Sequence, residues 1–308
     1  MNSTAPIDQA SLFPSQAVDS TTPRAMEGQC PVCGDTRLQW LFTKKGRNFW
    51  RCGTCRVEKQ HPLPSRAELK AYYDAAYTEG MYEVFTAAEE MKTMTARRRL
   101  QEILPHLSRE GKWLDVGCAN GVFLREAGTM GIQTSGVELS DVAVAKALAA
   151  GLDVQCGALE DIDPSAQYNV ITAFDVLEHV LDPSGFLASM VERLAPGGQI
   201  ALTLPNRDSI FCRLMGSRWW FYIPEEHLHY FQPTNVRALC EHAGLEVLHV
   251  GRTYKPLTFD YGLTQFVEYN PLIYRVMKMA AVFLPRALRQ WILPFYIGEM
   301  KVIARKKA

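Results

Sequence analysis

The chain has 308 residues, of which 47% are hydrophobic and 21% are charged, and its formal net charge at pH 7 is zero. This length allows one large core plus a small added module, and the composition excludes a wholly disordered or fibrous chain. Residues 62–250 contain 15 basic and 25 acidic residues, whereas residues 251–308 contain ten and three, so we expect the ends of the chain to contact anionic partners.

The first 27 residues are rich in Ser, Thr, Pro and Ala and contain a single basic residue, Arg24. They lack the apolar segment of a secretory signal and are predicted to be a disordered tail. No later stretch approaches the ~18 apolar residues of a membrane-spanning helix. The eight cysteines, four of them in two C-x-x-C pairs, suit metal-bound thiolates in a reducing compartment. We therefore expect a cytoplasmic protein.

Residues 28–60 are predicted to form a small zinc ribbon. Its four candidate ligands follow the pattern C-x2-C-x18-C-x2-C, and they are Cys30, Cys33, Cys52 and Cys55. This spacing is typical of a closed tetrahedral structural zinc site. Short strands are predicted over 38–42 and 48–51, around a Lys-Lys-Gly turn. So small a module has little core, and metal binding would supply roughly 10 kcal/mol of folding free energy.

The ribbon has two alternative roles. It contains seven basic and two acidic residues over 28–61, and its aromatic and basic side chains alternate, as in Trp40, Phe42, Lys44, Lys45, Arg47, Phe49, Trp50 and Arg51. That mixture is typical of nucleic-acid binding. Alternatively, the aromatic side chains pack on a catalytic domain and the ribbon is a docking module. We favour the docking interpretation.

Residues 61–308 are predicted to form a second domain. Helices are expected over 87–104, 122–130 and 142–150, and strands over 112–116, 134–139 and 153–156. This alternation, with glycine at the turns, predicts a parallel doubly wound sheet. Arg97, Arg98 and Arg99 are adjacent on the first helix and cannot share one face, so we expect most of them to be solvated.

The first strand runs into the turn D-V-G-C-A-N-G, which begins at Asp115. Gly117 and Gly121 allow the backbone to approach a ligand at the start of a helix. Asp115 can accept a hydrogen bond from a ligand amine. Glu138 ends the second strand about 20 residues later, where an acidic residue typically binds a ribose diol. A dinucleotide enzyme could share this layout, but its turn would read G-x-G-x-x-G.

At this point the chain resembles the class I S-adenosylmethionine (SAM)-dependent methyltransferases. Further motifs agree: YNVITAFDVLEHVLDP over 168–183, LAPGGQIALTLPN over 194–206 and HLHYFQPTNVRALCEHAGLEV over 227–247. The resemblance covers 85–254 and, with a final strand, 296–305. It implies an α/β fold, a doubly wound seven-stranded Rossmann-like sheet, to which the zinc ribbon is added.

The resemblance also implies the residues that bind SAM. Asp115, Gly117, Cys118 and Gly121 would surround its methionine part, and Glu138 would hold both ribose hydroxyls. The adenine would lie between Leu139 and Leu159, and Phe174 and Asp175 would border the methyl donor. The sequence departs from the family pattern at two positions, since Ala119 replaces the middle glycine of the turn and Ala158 replaces an Asp that contacts the adenine amine in many relatives.

Methyl transfer mainly requires donor and acceptor to be held in line, because the sulfonium already activates the methyl group. A base is needed only for a poor nucleophile such as an alcohol or a carbon acid. The candidates are Glu178, His227 and His229. His179, in the LEHV motif, is better explained by a hydrogen bond that fixes its loop. Glu225, Glu226 and the two later histidines could instead bind a metal.

Residues 255–292 exceed the usual family connection and are predicted to form a helical insertion before the last strand. On a helical wheel, Arg275, Lys278, Arg286 and Arg289 share one arc, and Leu272, Ile273, Val276, Met277 and Phe283 lie outside it. That pattern predicts either peripheral contact of 272–291 with an inner membrane surface or a helical cap on the substrate pocket. Pro285 would kink such a helix.

Three functions remain open. The first is a SAM-dependent methyltransferase that acts on a small-molecule, sugar or lipid-linked acceptor. The second is an RNA methyltransferase that uses the ribbon as a reader, which the acidic charge of 62–250 disfavours because it repels phosphates. The third is a non-catalytic SAM-binding zinc adaptor.

Overall fold

A computed structural model describes residues 28–78, 87–259, 271–285, 289 and 291–307, so the predicted N-terminal tail lies outside the described residues. The elements are, in chain order, β1 (Leu38–Lys44), β2 (Arg47–Cys52), β3 (Glu58–His61), α1 (Arg66–Thr78), α2 (Ala87–Ile103), β4 (Lys112–Val116), α3 (Val122–Gly128), β5 (Gln133–Glu138), α4 (Asp141–Ala149), β6 (Val154–Cys156), β7 (Tyr168–Phe174), α5 (Pro183–Arg193), β8 (Leu194–Pro205), α6 (Ile210–Met215), β9 (His229–Tyr230), α7 (Pro233–His242), β10 (Leu245–Leu257), α8 (Pro271–Val282) and β11 (Leu293–Lys306).

The N-terminal strands form a small antiparallel sheet in the order β1-β2-β3-β9. The two predicted strands are present, and each is slightly longer than expected. Lys45 and Gly46 join them with φ values of 47° and 73°, which gives the tight turn the right-handed twist that a two-residue hairpin needs. The fourth strand comes from the second half of the chain, so the ribbon sheet is completed by the predicted methyltransferase domain.

The large sheet has seven strands in the order β10-β11-β8-β7-β4-β5-β6. Strands β4 to β8 run parallel, and β11 is antiparallel to both of its neighbours. The doubly wound Rossmann-like sheet predicted from the sequence is therefore confirmed. Its first strand has the predicted bounds, and the next two lie within one residue of them.

Two apolar layers cover this sheet. One includes α5 and α7, with Leu187 and Leu239 against the buried strands, and the other includes α2 and α3, with Leu100 and Phe123. Both faces are covered because the central parallel strands have apolar side chains on both sides. In such a sheet ligands bind beyond the carboxyl ends of the strands, where β4, β5 and β7 end side by side.

The insertion between β10 and β11 lies close to its predicted bounds of 255–292, but the helix predicted over 272–291 is shorter than expected. β10 continues to Leu257, β11 begins at Leu293, and α8 ends at Val282, three residues before Pro285. The residue before a proline is disfavoured in helical conformation, which explains why no single helix covers 272–291. Residues 260–270 and 286–288 lie outside the described part of the chain. Among the described residues, no helix is long and apolar enough to cross a bilayer.

Candidate active site

The turn after β4 is tight and leaves little room for side chains. Gly117 and Gly121 have φ values of 70° and 78°, and a Cβ on them would lie 2.7 Å from Val176 and 2.3 Å from Leu152. Ala119 has a φ of 50°, in the region that glycine occupies without strain, and its methyl group is nevertheless accommodated. The turn thus presents backbone, rather than side chains, beyond the end of β4.

Two carboxyl groups flank this turn. Asp115 is 4% exposed and accepts a hydrogen bond of 2.6 Å from the Thr172 hydroxyl, and burial raises its pKa to about 7. Glu138 accepts hydrogen bonds from the backbone N–H groups of Ala119, at 2.9 Å, and Ser140, at 3.0 Å. Burial raises the pKa of Glu138, and these N–H groups oppose the rise. Both carboxyl groups therefore lie close to the glycine turn.

The predicted adenine-contacting residues differ in exposure. Leu139 is 44% exposed, whereas Leu159 is 2% exposed and belongs to the core. Cys118 is buried, and Gly136 permits its close approach because a Cβ there would lie 2.6 Å from the Cys118 sulfur. The backbone N–H of Ala158 donates to the Asp161 carboxylate at 2.8 Å, so this carboxylate is engaged by its own loop.

At the end of β7, Asp175 lies in a network of charges. Arg99 approaches its carboxylate at 2.5 Å and Lys255 at 3.4 Å, while Lys255 also contacts Glu299 at 2.6 Å. Burial would raise the pKa of Asp175, but Lys255 and Arg99 outweigh burial and lower it. The Arg99 guanidinium also lies 4.8 Å from the centre of the Phe174 ring. These cations hold the strand end in place.

The role of Arg99 is absent from the sequence prediction. Arg97 is 64% exposed, as expected, but the side chain of Arg99 is only 17% exposed. The available signal is helical spacing: Ala96, Leu100 and Ile103 form the buried face of α2, and Arg99 lies at the edge of that face. A charge in that position needs a partner.

A second cluster lies on the loop after β7. The ligand atoms of Glu178, His179 and His227 are all within 4.8 Å of one another. Glu178 is 1% exposed, and neither oxygen of its carboxylate has a hydrogen-bond partner among the described residues. Burial and nearby Asp175 raise the pKa of Glu178, and burial lowers the pKa of His179 to about 4 and of His227 to about 3. The histidines are therefore neutral near pH 7.

Hydrogen bonds orient both rings. His227 Nδ1 lies 2.8 Å from the carbonyl oxygen of Phe221, which can only accept, so Nδ1 carries the proton and Nε2 is the proton acceptor of that ring. His179 Nδ1 lies 3.0 Å from the Tyr73 hydroxyl, so His179 makes the loop-fixing contact expected of it. The two imidazole rings meet edge to face, 4.7 Å apart.

His229 takes a different position from His227. It lies on β9, its backbone N–H donates to the carbonyl of Glu178 at 3.1 Å, and its ring lies 6.2 Å from Phe231. The structure thus brings Glu178 and His227 together with His179, and leaves the His229 ring outside that cluster. Of the proposed metal ligands, Glu225 pairs with Lys45 and Glu226 accepts from Tyr72.

The four ribbon cysteines form a compact cluster. The sulfur atoms of Cys30 and Cys55 are 3.3 Å apart and those of Cys33 and Cys52 are 3.5 Å apart, and all four lie within 4.8 Å. A hydrogen bond from Cys55 lowers the pKa of Cys30 to about 5. Four sulfurs at these separations fit one tetrahedral metal ion of zinc size.

The ribbon packs on the lid, the segment 216–231 that follows α6. Phe49 is fully buried and contacts Tyr222 at 5.4 Å and Tyr230 at 5.6 Å between ring centres. Glu58 of β3 is also buried and pairs with Arg51 and Arg207. Phe49 and Trp50 are thus used in packing, as the docking interpretation predicts, whereas Trp40 is 37% exposed.

A separate groove lies between α2 and α3. Arg97, Leu100, Gln101, Glu126, Thr129 and Met130 line it. It contains none of the predicted site residues and lies on a helical layer, away from the carboxyl ends of the strands. We therefore place the candidate site at the strand ends.

The strand order, the glycine turn and the acidic end of β5 together define a class I SAM-dependent methyltransferase, and the chain belongs to that family. A family model described as a methyltransferase domain matches residues 88–250. The chain is also 31% identical to a ubiquinone biosynthesis O-methyltransferase of Pseudomonas entomophila, over 53% of this chain and 76% of that protein. SAM is accordingly its cofactor.

Solved structures agree on the fold. A SAM-dependent methyltransferase from Thermotoga maritima, described as a possible histamine N-methyltransferase, aligns with a TM-score of 0.51 and 16% identity over 77% of this chain and 99% of that one. Magnesium protoporphyrin IX methyltransferase from Synechocystis PCC 6803, with bound SAH, aligns with a TM-score of 0.52 and 10% identity over 79% and 100%. At these identities the similarity establishes the fold alone.

Proposed function

We propose that the protein transfers a methyl group from SAM to a hydroxyl oxygen of a small or lipid-linked acceptor that binds beside Glu178. The observation that carries this proposal is the Glu178 carboxylate, which is buried without a hydrogen-bond partner for either oxygen among the described residues. A buried carboxyl group without partners is costly, so an unpaired one on the loop after β7 is poised for a ligand. The O-methyltransferase relatives support oxygen as the acceptor atom.

SAM would bind on the turn after β4. Asp115 would receive the amine of its methionine part beside Gly117, Cys118 and Gly121. Glu138 would accept from the ribose hydroxyls, and Leu139 and Leu159 would enclose the adenine. Arrival of the positively charged amine would lower the pKa of Asp115 from about 7, so the cofactor favours the ionised form of the carboxyl that binds it.

The acceptor proton would pass to His227. Its Nε2 is the unprotonated nitrogen, and an ionised Glu178 within 4.8 Å would have to offset the burial that lowers the pKa of His227 to about 3. When bound, SAM would supply the methyl group: the acceptor oxygen would bond to the methyl carbon as the carbon–sulfur bond breaks, which would leave a neutral thioether. His229, whose ring is outside the cluster, would support the lid instead.

A divalent cation is a second candidate for activating the hydroxyl. Its support is the close approach of three ligand atoms, a carboxylate oxygen and two neutral imidazole nitrogens, within 4.8 Å. Such an ion would lower the pKa of a bound hydroxyl and orient it. Glu178, His179 and His227 would hold it.

The test uses SAM labelled in its methyl group and extract from the source cell. We expect label in the small-molecule or lipid fraction, and a Glu178→Gln variant should lose at least about 100-fold of the rate with SAM affinity within about threefold of wild type. Glu192→Gln, the same change at a side chain that is 77% exposed, is the matched control. Label in RNA would overturn the proposed acceptor class.

Removal of divalent ions distinguishes the two ways of activating the hydroxyl. If His227 alone accepts the proton, the rate in chelator should match the rate in added Mg²⁺. A rate that vanishes in chelator and returns with Mg²⁺, while the ribbon retains its own metal, would establish the cation instead.

The four ribbon cysteines would hold one structural zinc. The support is that all four sulfurs lie within 4.8 Å of one another, and a closed four-thiolate site has no open position for chemistry. The RNA-reader alternative has less support, because Phe49 is fully buried and Trp50 is 3% exposed, so neither ring can stack on a base. Lys45 and Arg51, two of the ribbon's cations, pair with Glu225 and Glu58.

Peripheral membrane contact would bring a lipid-linked acceptor to the site. Exposed apolar side chains lie together at the end of α8 and just beyond it, and they are Val276, Met279, Val282 and Phe283, which are 61%, 63%, 79% and 88% exposed. Arg275 and Lys278 are exposed on the same helix. An apolar surface flanked by cations suits an anionic membrane surface in the cytoplasm.

A further inference from the structure

The ribbon and the lid share one sheet. Glu58 and Lys59 of β3 pair antiparallel with Tyr230 and His229 of β9. The backbone N–H of Gln60 adds a hydrogen bond of 3.0 Å to the carbonyl of Leu228. The chain between α6 and β9, which carries His227, is therefore fixed on one side by the last strand of the ribbon.

Gln60 makes two more contacts through its side chain. It is fully buried, and its amide nitrogen donates to the carbonyl oxygens of Pro224, at 2.9 Å, and His227, at 3.1 Å. These carbonyls bracket the segment that carries Glu226 and His227. A buried amide that donates to both ends of one short segment fixes its backbone, because loss of the amide removes the side-chain donor to the Pro224 carbonyl and one of two donors to the His227 carbonyl, which also accepts from the Tyr230 hydroxyl at 2.8 Å.

The other end of β3 is connected to the cysteine cluster. The backbone N–H of Cys52 donates to the carbonyl of Val57 at 2.9 Å, and Cys55 lies only three residues before β3 begins. Arg51, the residue before Cys52, pairs with Glu58 both in the sheet register and by a side-chain contact of 2.7 Å. A fixed arrangement of the four cysteines therefore fixes the start of β3, the strand that contacts the lid.

From these contacts we propose that Gln60 is a positioning residue for the acceptor site, and that through it the metal-binding cluster of the ribbon controls the placement of His227. The inference rests on the proposed function in one respect, since it takes the surroundings of His227 to be where the acceptor binds. It gives the ribbon a task in methyl transfer although none of its residues belongs to the Glu178, His179 and His227 cluster.

The first test compares Gln60→Met with Gln39→Met. Methionine keeps the volume of glutamine and removes its donors, and Gln39 is an exposed residue of β1, so the control makes the same change outside the contact. We expect Gln60→Met to increase amide hydrogen exchange over 224–231 at least about tenfold. We also expect it to raise the extract concentration that half-saturates label transfer, and to leave SAM affinity within about threefold. Gln39→Met should change none of these.

Unchanged exchange over 224–231 together with unchanged half-saturation in Gln60→Met would refute the positioning role. Loss of SAM binding in that variant would also contradict it, because the inferred effect is confined to the lid. Exchange and SAM affinity require no acceptor. If no extract fraction takes up label, the proposed function fails while these two measurements still decide the inference.

The second test removes the metal from the wild-type protein. A chelator that releases about one zinc per chain should increase exchange over 58–61 and 224–231 while SAM still binds to the core, and restored zinc should reverse the change. If the lid exchanges at the same rate with and without zinc, the coupling between cluster and lid is refuted.

Discussion

Replacement of Asp115 by asparagine should make the protein more stable at alkaline pH, although it removes a residue of the candidate SAM site. The Asp115 carboxyl is 4% exposed, and burial raises its pKa from 3.8 to about 7. A shift of roughly three pKa units corresponds to ~4 kcal/mol, at about 1.4 kcal/mol per unit. Asparagine keeps the size of the side chain and an oxygen that can accept from Thr172, but it never ionises.

Proton linkage determines how the stability difference between the two proteins changes with pH. Because the folded-state pKa is raised, the folded protein binds this proton more tightly than the unfolded chain does. The destabilisation caused by the charge is absent below about pH 4, grows as the pH rises and is complete above about pH 7. The stability advantage of Asp115→Asn should therefore widen by ~2 to 3 kcal/mol between pH 5 and pH 8.

Urea unfolding of both proteins at pH 5 and pH 8 measures this difference. Asp153→Asn, at an exposed carboxyl just before β6, is the control for a general effect of lost charge. The same substitution should weaken SAM binding although it stabilises the fold. In a SAM titration we expect the affinity of Asp115→Asn to be at least about tenfold lower, since the SAM amine loses an ionic partner. A stability difference that does not change with pH would show that burial does not hold the Asp115 pKa near 7.

Two further predictions concern the charge network and the end of α8. Arg99→Met should lower the free energy of unfolding by about 2 kcal/mol, and the loss is not larger because Asp175 is partly exposed and keeps its contact with Lys255. Arg97→Met, at an exposed side chain, should lower it by less than ~1 kcal/mol. Equal losses in urea unfolding would argue against a special role for Arg99. Phe283→Asp should weaken binding to vesicles of anionic lipid at least about tenfold in a sedimentation assay. Leu214→Asp, at an exposed leucine of α6, is the control. If it weakens vesicle binding equally, the proposed membrane contact through α8 is wrong.

The fold was predictable because its signals are local. Glycine turns and short apolar strands mark β4, β5 and β6 within one residue, and the C-x-x-C pairs mark the ends of the ribbon hairpin. The length of the helix within the insertion was predicted less well. Pro285 indicated the break after α8, but nothing in the local pattern showed that β10 and β11 extend towards each other as far as Leu257 and Leu293.

The candidate site was predictable only in part, because several of its contacts join distant segments. Asp115 and Glu138 follow from their positions after strands. Arg99 does not, since its partner Asp175 lies 76 residues away, and the contact of Gln60 with the His227 carbonyl spans 167 residues. His227 and His229 were both candidates from the sequence, but β9 places His229 in a sheet with the ribbon.

The shared sheet has a consequence for synthesis of the chain on the ribosome. The ribbon's own three strands are complete at His61, but their fourth strand begins at His229. At a synthesis rate of about 5–20 residues per second, the edge of β3 stays unpaired for roughly 8 to 34 s before β9 is made. That edge carries Glu58, Lys59 and Gln60, and charged side chains on an open strand discourage pairing with other nascent chains. We therefore expect the polar residues that later hold the lid also to disfavour aggregation of the unfinished protein.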